Sequence, residues 1–257
     1  MPDTAAPLPP HPGLHRWLAL DTSTTTLSVA VGAAGAPEPL AWHEGEAGAQ
    51  ASRTLLPVAL GLLERVGWSV ADLDGIVFGC GPGSFTGLRT ACAVVQGLAV
   101  AARPGGIPVL PLPTLLAVAE AARAHHAPGA AALRVTAALD ARMDEVYAAT
   151  YDWQADTGWS EVEGPRLYAP QALPSAADIH LRAGNVLPVH GARLPAPWQH
   201  DTVLALPDAA ALLRLAAAGV RHGHCVPAAR AQPLYVRDKV ALTSAEQAAL
   251  RAQRPHP

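Results

Sequence analysis

One theme, used twice, constrains this chain more than any other feature. Residues 17–21 (WLALD) are a short apolar run ending on a carboxylate. A polar turn over 22–26 follows, and 27–31 (LSVAV) alternates. More than a hundred residues later, 133–139 runs apolar into Asp140, 141–145 is a polar turn, and 146–151 alternates again. Alternation with a period of two marks a strand with one buried face, and a short polar turn between two such runs predicts a hairpin. Each half of the chain therefore opens with a β-hairpin tipped by an aspartate. Identity between the two hairpins is slight, so what repeats is architecture.

The segments behind each hairpin fix the fold class. A third strand is expected near 40–43, then a helix over 50–66 stopped by Gly67. A buried strand from Leu73 through Phe78 ends at Cys80. The turn Gly81-Pro82-Gly83-Ser84-Phe85-Thr86-Gly87 then opens a second apolar helix reaching Ala102. A strand over 107–110, closed by Pro111 and Pro113, precedes a helix over 114–125. The order βββαβαβα is that of a ribonuclease H-like lobe. After the Ala127-Pro128-Gly129 break the theme restarts, with a strand near 179–183, a helix over 208–221, an extended piece over 234–236 and a capped helix over 244–253. The expected class is α/β with actin-like ATPase architecture: two ribonuclease H-like lobes, the second trimmed. The expected divisions are a disordered leader at 1–15, a first lobe at 16–126, a second lobe at 127–243, and a terminal helix and tail at 244–257.

Composition narrows the partners. Half the residues are hydrophobic and 15% are charged, enough apolar material for a sizeable core. The formal net charge is −3 and no basic stripe is visible, which disfavours strong nucleic-acid binding by this chain alone. Cys80, Cys92 and Cys225 are odd in number and contain no C-x-x-C pair, so no disulfide framework is expected and a reducing, cytoplasmic compartment fits. The Pro-rich opening lacks a signal peptide's positive and apolar regions. The apolar run over 90–102 is too short to span a membrane.

The segments LALDTSTTTLSVAV (18–31), the long block from Ser52 to Ala99 with GPGSFTGLR at its centre, LDARMDEVYAATY (139–151) and PLYVRDKVA (233–241) resemble, in order, the TsaB family, also called YeaZ. The resemblance implies a cytoplasmic, non-catalytic subunit without a cofactor of its own. It implies pairing with a catalytic paralogue, TsaD, and work with an ATPase, TsaE. The paralogue transfers a threonylcarbamoyl group to N6 of adenosine 37 in tRNAs reading codons that start with A. On this reading tRNA is met only through the complex, and the chain alone forms a homodimer through two first-lobe helices. The alternative is an enzyme of the same architecture, a phosphotransferase or a metallopeptidase-like protein.

Candidate residues follow. Asp21, Thr22 and Ser23, facing Asp140 from the other lobe, are candidates for a vestigial nucleotide cleft, since hydroxyls and backbone N–H groups at a turn cradle phosphate. The alternative is that they cap a tight hairpin. Ser84 lacks the G-x-S-x-G spacing of a hydrolase elbow, so it or Thr86 is expected to cap the following helix. The catalytic paralogue's His-x-x-x-His pair has no counterpart, because 111–122 reads PLPTLLAVAEAA. His125 and His126 are adjacent, and His222 and His224 lack an evident third ligand, so no metal site is expected. The helices after Gln50 and after Gly87 are apolar over too wide an arc for one core face, which predicts a partner surface. Its candidates are Leu55, Leu56, Leu63, Leu88 and Val95.

Overall fold

A computed structural model describes residues 13–47 and 51–237 of the 257-residue chain. The terminal helix expected over 244–253 and most of the leader lie outside the described residues. In chain order the first lobe contains β1 (Trp17–Asp21), β2 (Thr26–Gly32), β3 (Ala41–Glu46), α1 (Ala51–Arg65), β4 (Gly75–Gly81), α2 (Phe85–Ala101), β5 (Val109–Pro113) and α3 (Thr114–His126). The second contains β6 (Ala132–Asp140), β7 (Val146–Gln154), β8 (Gly158–Tyr168), β9 (Leu181–Gly184), the short helices α4 (Val186–His190) and α5 (Ala196–His200), and β10 (Thr202–Leu204). Helix α6 (Ala209–Arg221) follows.

The two sheets have the same topology. The first runs β3-β2-β1-β4-β5 and the second β8-β7-β6-β9-β10. In each, the hairpin's leading strand is central. It pairs antiparallel with its partner, Leu20 opposite Val29 in one sheet and Leu139 opposite Tyr147 in the other. On its other edge it pairs parallel with the fourth strand, Leu18 opposite Ile76 and Val135 opposite Leu181. This is the ribonuclease H-like sheet, built twice in the actin-like manner. The second sheet keeps all five strands, and the trimming falls on its helices, since α4 and α5 have five residues each.

Apolar stripes set the layers. In α1, Leu55, Ala59, Leu62 and Leu63 recur at helical spacing and pack with α2 on one face of the first sheet. The sheet's other face, with Trp17, Ala19 and Val77, receives α6 and one side of α3. The opposite side of α3, through Leu115, Val118, Ala119 and Ala122, packs on β6 and β7. Behind the second sheet, Trp198 and Val186 cover Ala138 and Ala148. The result is five layers, helix–sheet–helix–sheet–helix. Although 208–221 falls inside the expected second lobe, α6 packs on β1, β2, β4 and β5 of the first. The reason is its broad apolar face, Leu212, Leu213, Leu215 and Ala216, which the first sheet's bare side buries.

The shared middle layer carries a buried charge cluster. Glu120, on α3, is 2% exposed. Its carboxylate accepts from Arg123 Nε and Nη2 (both 2.8 Å), Arg214 Nε on α6 (2.8 Å) and Trp159 Nε1 on β8 (3.0 Å). One carboxylate thus joins elements of both lobes. Among the described residues no helix is long and apolar enough to cross a membrane. Removing Glu120 takes the carboxylate from two largely buried arginines, and breaking such a cluster costs about 3–5 kcal/mol. We expect Glu120→Ala to lose stability of that order in urea unfolding, and Glu120→Gln to lose less because it keeps one acceptor oxygen.

Candidate functional site

The hairpin tips face each other across a cleft of about 400 Å³. Its first-lobe wall is Thr22 to Thr25, Ser52 and the turn from Pro82 to Leu88. Its second-lobe wall is Leu139, Asp140, Arg142, Tyr147 and Asn185, and residues 234–237 run along it. Of the sequence candidates, Thr22, Ser23, Leu88 and Asp140 line the cleft, together with every residue from Pro82 to Gly87. Asp21 and Gly81 do not.

The first wall is built by docking the 81–87 turn onto the hairpin tip. Thr22 Oγ1 donates to Gly87 O (2.8 Å), and Ser84 N donates to Ser23 O (2.7 Å). A side chain at Gly87 would meet Thr22 O at 1.9 Å, so only glycine permits this approach. Ser84 caps α2, its Oγ accepting from Gly87 N at 3.4 Å. Asp21 turns away from the cleft. Its Oδ1 accepts from Ser23 N (2.8 Å) and Ser23 Oγ (2.6 Å), while Oδ2 is buried without a partner. That oxygen stands where a Cβ on Gly79 would lie, 1.8 Å away. Burial pushes the Asp21 carboxyl up to about 7, against the two bonds from Ser23, and the nearby Asp208 carboxylate adds to the rise.

The second wall is organised around Asp140. Its Oδ1 accepts from Arg142 N (3.2 Å) and lies 3.3 Å from the buried His190 Nε2, a contact not aligned as a hydrogen bond. Asn185 Oδ1 accepts from Asp140 N (2.9 Å). The following residues, Arg142, Met143 and Asp144, all have positive φ, at 61°, 54° and 60°. Three consecutive side-chain-bearing residues in the left-handed region cost about 1 kcal/mol or more each. Arg237, from the chain's far end, braces this turn. It donates to Ala141 O (3.0 Å) and to Glu145 Oε2 (2.5 Å). Sequence reading missed Arg237, Tyr235, Arg142 and Asn185 as parts of the site. The signal available was the quoted PLYVRDKVA segment, whose position in space no periodicity reveals.

Chemically, the first wall offers hydroxyls and backbone but no carboxylate, since Asp21 is internal. The thiols are not poised for reaction: burial pushes Cys80 up to about 12 and Cys225 to about 11, and raises Cys92, whose Sγ donates to Ala231 O (3.1 Å). Among the described residues no three His, Cys, Asp or Glu side chains gather as a metal site. The predicted helix surface sorts sharply. Leu55, Leu63, Leu88 and Val95 are at most 1% exposed, packed inside their own lobe, whereas Leu56 is 39% exposed. The outward faces of α1 and α2, which lie side by side, instead carry Leu56, Leu60 (43%) and Val100 (66%). Around them are exposed Pro57, Ala93 and Gly97.

The raised Asp21 carboxyl sets a pH dependence. The unfolded side chain ionises near 3.8 and the folded one near 7, so between these values the folded chain holds the extra proton. Stability therefore falls as pH rises through that window and is flat above it. Asp21→Asn removes the penalty of the buried charge. We expect the variant to be more stable than the parent at pH 8, by up to about 4 kcal/mol, and to show no such gain at pH 4. Denaturation at the two pH values checks this, and an equal effect at both would contradict the assignment.

Comparison with known proteins bears on this geometry. Residues 45–248 match the family model described as "TsaD: tRNA N6-adenosine threonylcarbamoyltransferase". The chain is 30% identical over 246 residues to the tRNA threonylcarbamoyladenosine biosynthesis protein TsaB of Escherichia coli, covering 88% of this chain and 96% of that one. It is 34% identical over 234 residues to the protein of the same name from Haemophilus influenzae, covering 87% and 94%. The solved structure of YeaZ from Pseudomonas aeruginosa superposes with a TM-score of 0.73 at 35% identity, over 86% of this chain and all of that one. With the doubled sheet, the docked 81–87 turn and likeness along nearly its whole length, the chain belongs to the TsaB (YeaZ) family.

Proposed function

We propose that this chain is the non-catalytic dimerisation and activator subunit of a complex that forms N6-threonylcarbamoyladenosine at position 37 of tRNAs reading codons that start with A. The TsaB relatives are named for this biosynthesis. In this reading it binds a TsaD-like catalytic paralogue, works with a TsaE-like ATPase, and meets tRNA only through the complex. Without the paralogue it pairs with a second copy of itself in the cytoplasm.

The observation that carries the reading is the outward surface of α1 and α2. Leu56 and Leu60 lie four apart on α1, and Ala93, Gly97 and Val100 line α2 at helical spacing. A methyl group on Gly61 or Gly97 would meet no atom within 4 Å, so the backbone there is open to close approach by another helix. Small residues flanked by exposed leucine and valine suit helix-on-helix packing, and a self-complementary face favours two-fold pairing. The interface is therefore assigned to Leu56, Leu60 and Val100, and the four buried candidates serve the lobe's own core. The cleft supports the same reading. A phosphotransferase would use a first-lobe carboxylate facing the cleft to hold a magnesium ion on phosphate, and Asp21 is instead buried and bonded to Ser23.

The test separates the two faces. Leu55→Glu, Leu63→Glu, Leu88→Glu and Val95→Glu each place a charge in the core, and should lower thermal stability severely, since an unpaired buried charge costs several kcal/mol. Leu56→Glu, Leu60→Glu and Val100→Glu should melt near the parent temperature. Burying a leucine contributes about 2 kcal/mol, so one such change should weaken binding to the TsaD-like protein by roughly 30-fold or more, read by co-elution. It should also shift the isolated chain toward monomer in light scattering and reduce reconstituted tRNA modification. Unchanged partner affinity in all three folded surface variants would rule the interface out.

A further inference from the structure

We propose that residues 231–237 form a strap that ties the two lobes together along the cleft, with Arg237 as its clasp. The strap is anchored at one end to the first lobe. Ala231 O accepts from Gln96 Nε2 (2.9 Å) and Cys92 Sγ, both on α2, and Leu234 N donates to Cys80 O at the end of β4 (2.7 Å). Gly81 has φ of 124° and lies so close that a side chain there would meet Leu234 O at 2.5 Å. Tyr235 adds a second hold: its hydroxyl accepts from Arg89 Nε (3.0 Å), and its ring lies 5.5 Å from that of Phe85.

Two residues further on, the chain has reached the other lobe. Arg237 Nη2 spans Ala141 O, Arg142 O and Glu145 Oε2, and its Nη1 meets Met143 Sδ at 3.3 Å. These acceptors belong to the turn whose three middle residues hold positive φ. A planar guanidinium with donors in fixed directions suits several acceptors at once, which an ammonium on a flexible stem does not. The middle helix layer already joins the lobes through α3. The strap is a second tie, made on the cleft itself, and two ties at separate places prevent the hinge motion that one allows. Opening and closing of the cleft is thereby held at one setting, and the left-handed turn keeps its shape only while Arg237 is seated.

The experiment uses the full chain. Spin labels at Glu44→Cys and Val189→Cys, both exposed and on opposite lobes, in a Cys225→Ser background, report the inter-lobe distance, while amide hydrogen exchange reports the 141–145 turn. In the parent, diluted with excess unlabelled chain so that only labels within one chain pair, one narrow distance distribution is expected. Arg237→Ala should broaden it at least about twofold and speed exchange in the turn about tenfold or more, with β4 and α6 unchanged. Arg237→Lys should resemble Arg237→Ala. Should Arg237→Ala fail to fold, Glu145→Gln, which weakens one acceptor and leaves the carbonyls, should give a smaller change of the same kind. The proposal is overturned if the variant that folds leaves both measurements at parent values, if exchange accelerates evenly through both lobes, or if lysine behaves as arginine does.

Discussion

The carboxylate of Glu120 holds a position on which the rest of the molecule depends. Two sheets of the same topology each need both faces covered, and among the described residues two long helices, α3 and α6, lie between them. Helix α6 packs on the first sheet and α3 on both, and a helix buried on two sides has no preferred rotation about its axis. Glu120 supplies one. Its bonds to Arg123, Arg214 and Trp159 fix α3 against α6 and against β8 simultaneously. A carboxylate with its acceptor sites filled by directed donors specifies a geometry that alanine packing leaves open. Buried charge clusters contribute little net stability, but once built they are costly to disturb. That asymmetry fixes the relation of the lobes.

The regular parts of this fold were legible because they rest on local pattern. The hairpins at 17–32 and 132–154 and the helices α1, α2, α3 and α6 all carry periodic apolar residues, and each lies where the pattern places it. What was illegible is equally specific. Strand β8 carries Glu161, Glu163, Pro165 and Arg166, is half-exposed, and slips register against β7 near Thr150, so its alternation is erased. Strand β10 has three residues, too few for a period. The docking of α6 on the first sheet is a tertiary choice: its apolar stripe says that something is covered and not what.

The same limit explains the interface candidates. Leu55 and Leu56 are neighbours in sequence and about 100° apart around α1, and one is wholly buried while the other is well exposed. Counting apolar residues shows only that the apolar arc is wider than one face. Assigning a leucine to a face needs the direction of the sheet, which is set by strand order rather than by the helix. Gly61 and Gly97 are informative only in three dimensions, where they turn out to be open steps beside Leu60 and Val100.

The cleft keeps the two facing hairpins of the actin-like architecture with the first-lobe carboxylate held inside the lobe. Both hairpin tips still end on aspartate, and the space between them remains. In the first lobe, however, the hydroxyl of Ser23 and the buried setting above Gly79 draw the Asp21 carboxyl inward, where desolvation favours its neutral form. In the second lobe, Asp140 is held by the backbone of its own turn, and that turn is braced by a residue nearly a hundred positions later in the chain. Several polar groups at the hairpin tips, those of Asp21, Thr22, Ser23 and Asp140, are bonded to other parts of the same protein. Such bonds convert a site that exchanges partners with solvent into a fixed joint. A fixed joint is what a subunit needs if its contribution is to present the outer face of two helices in a constant orientation, because any freedom at the cleft would be passed through β4 to α2 and so to that face.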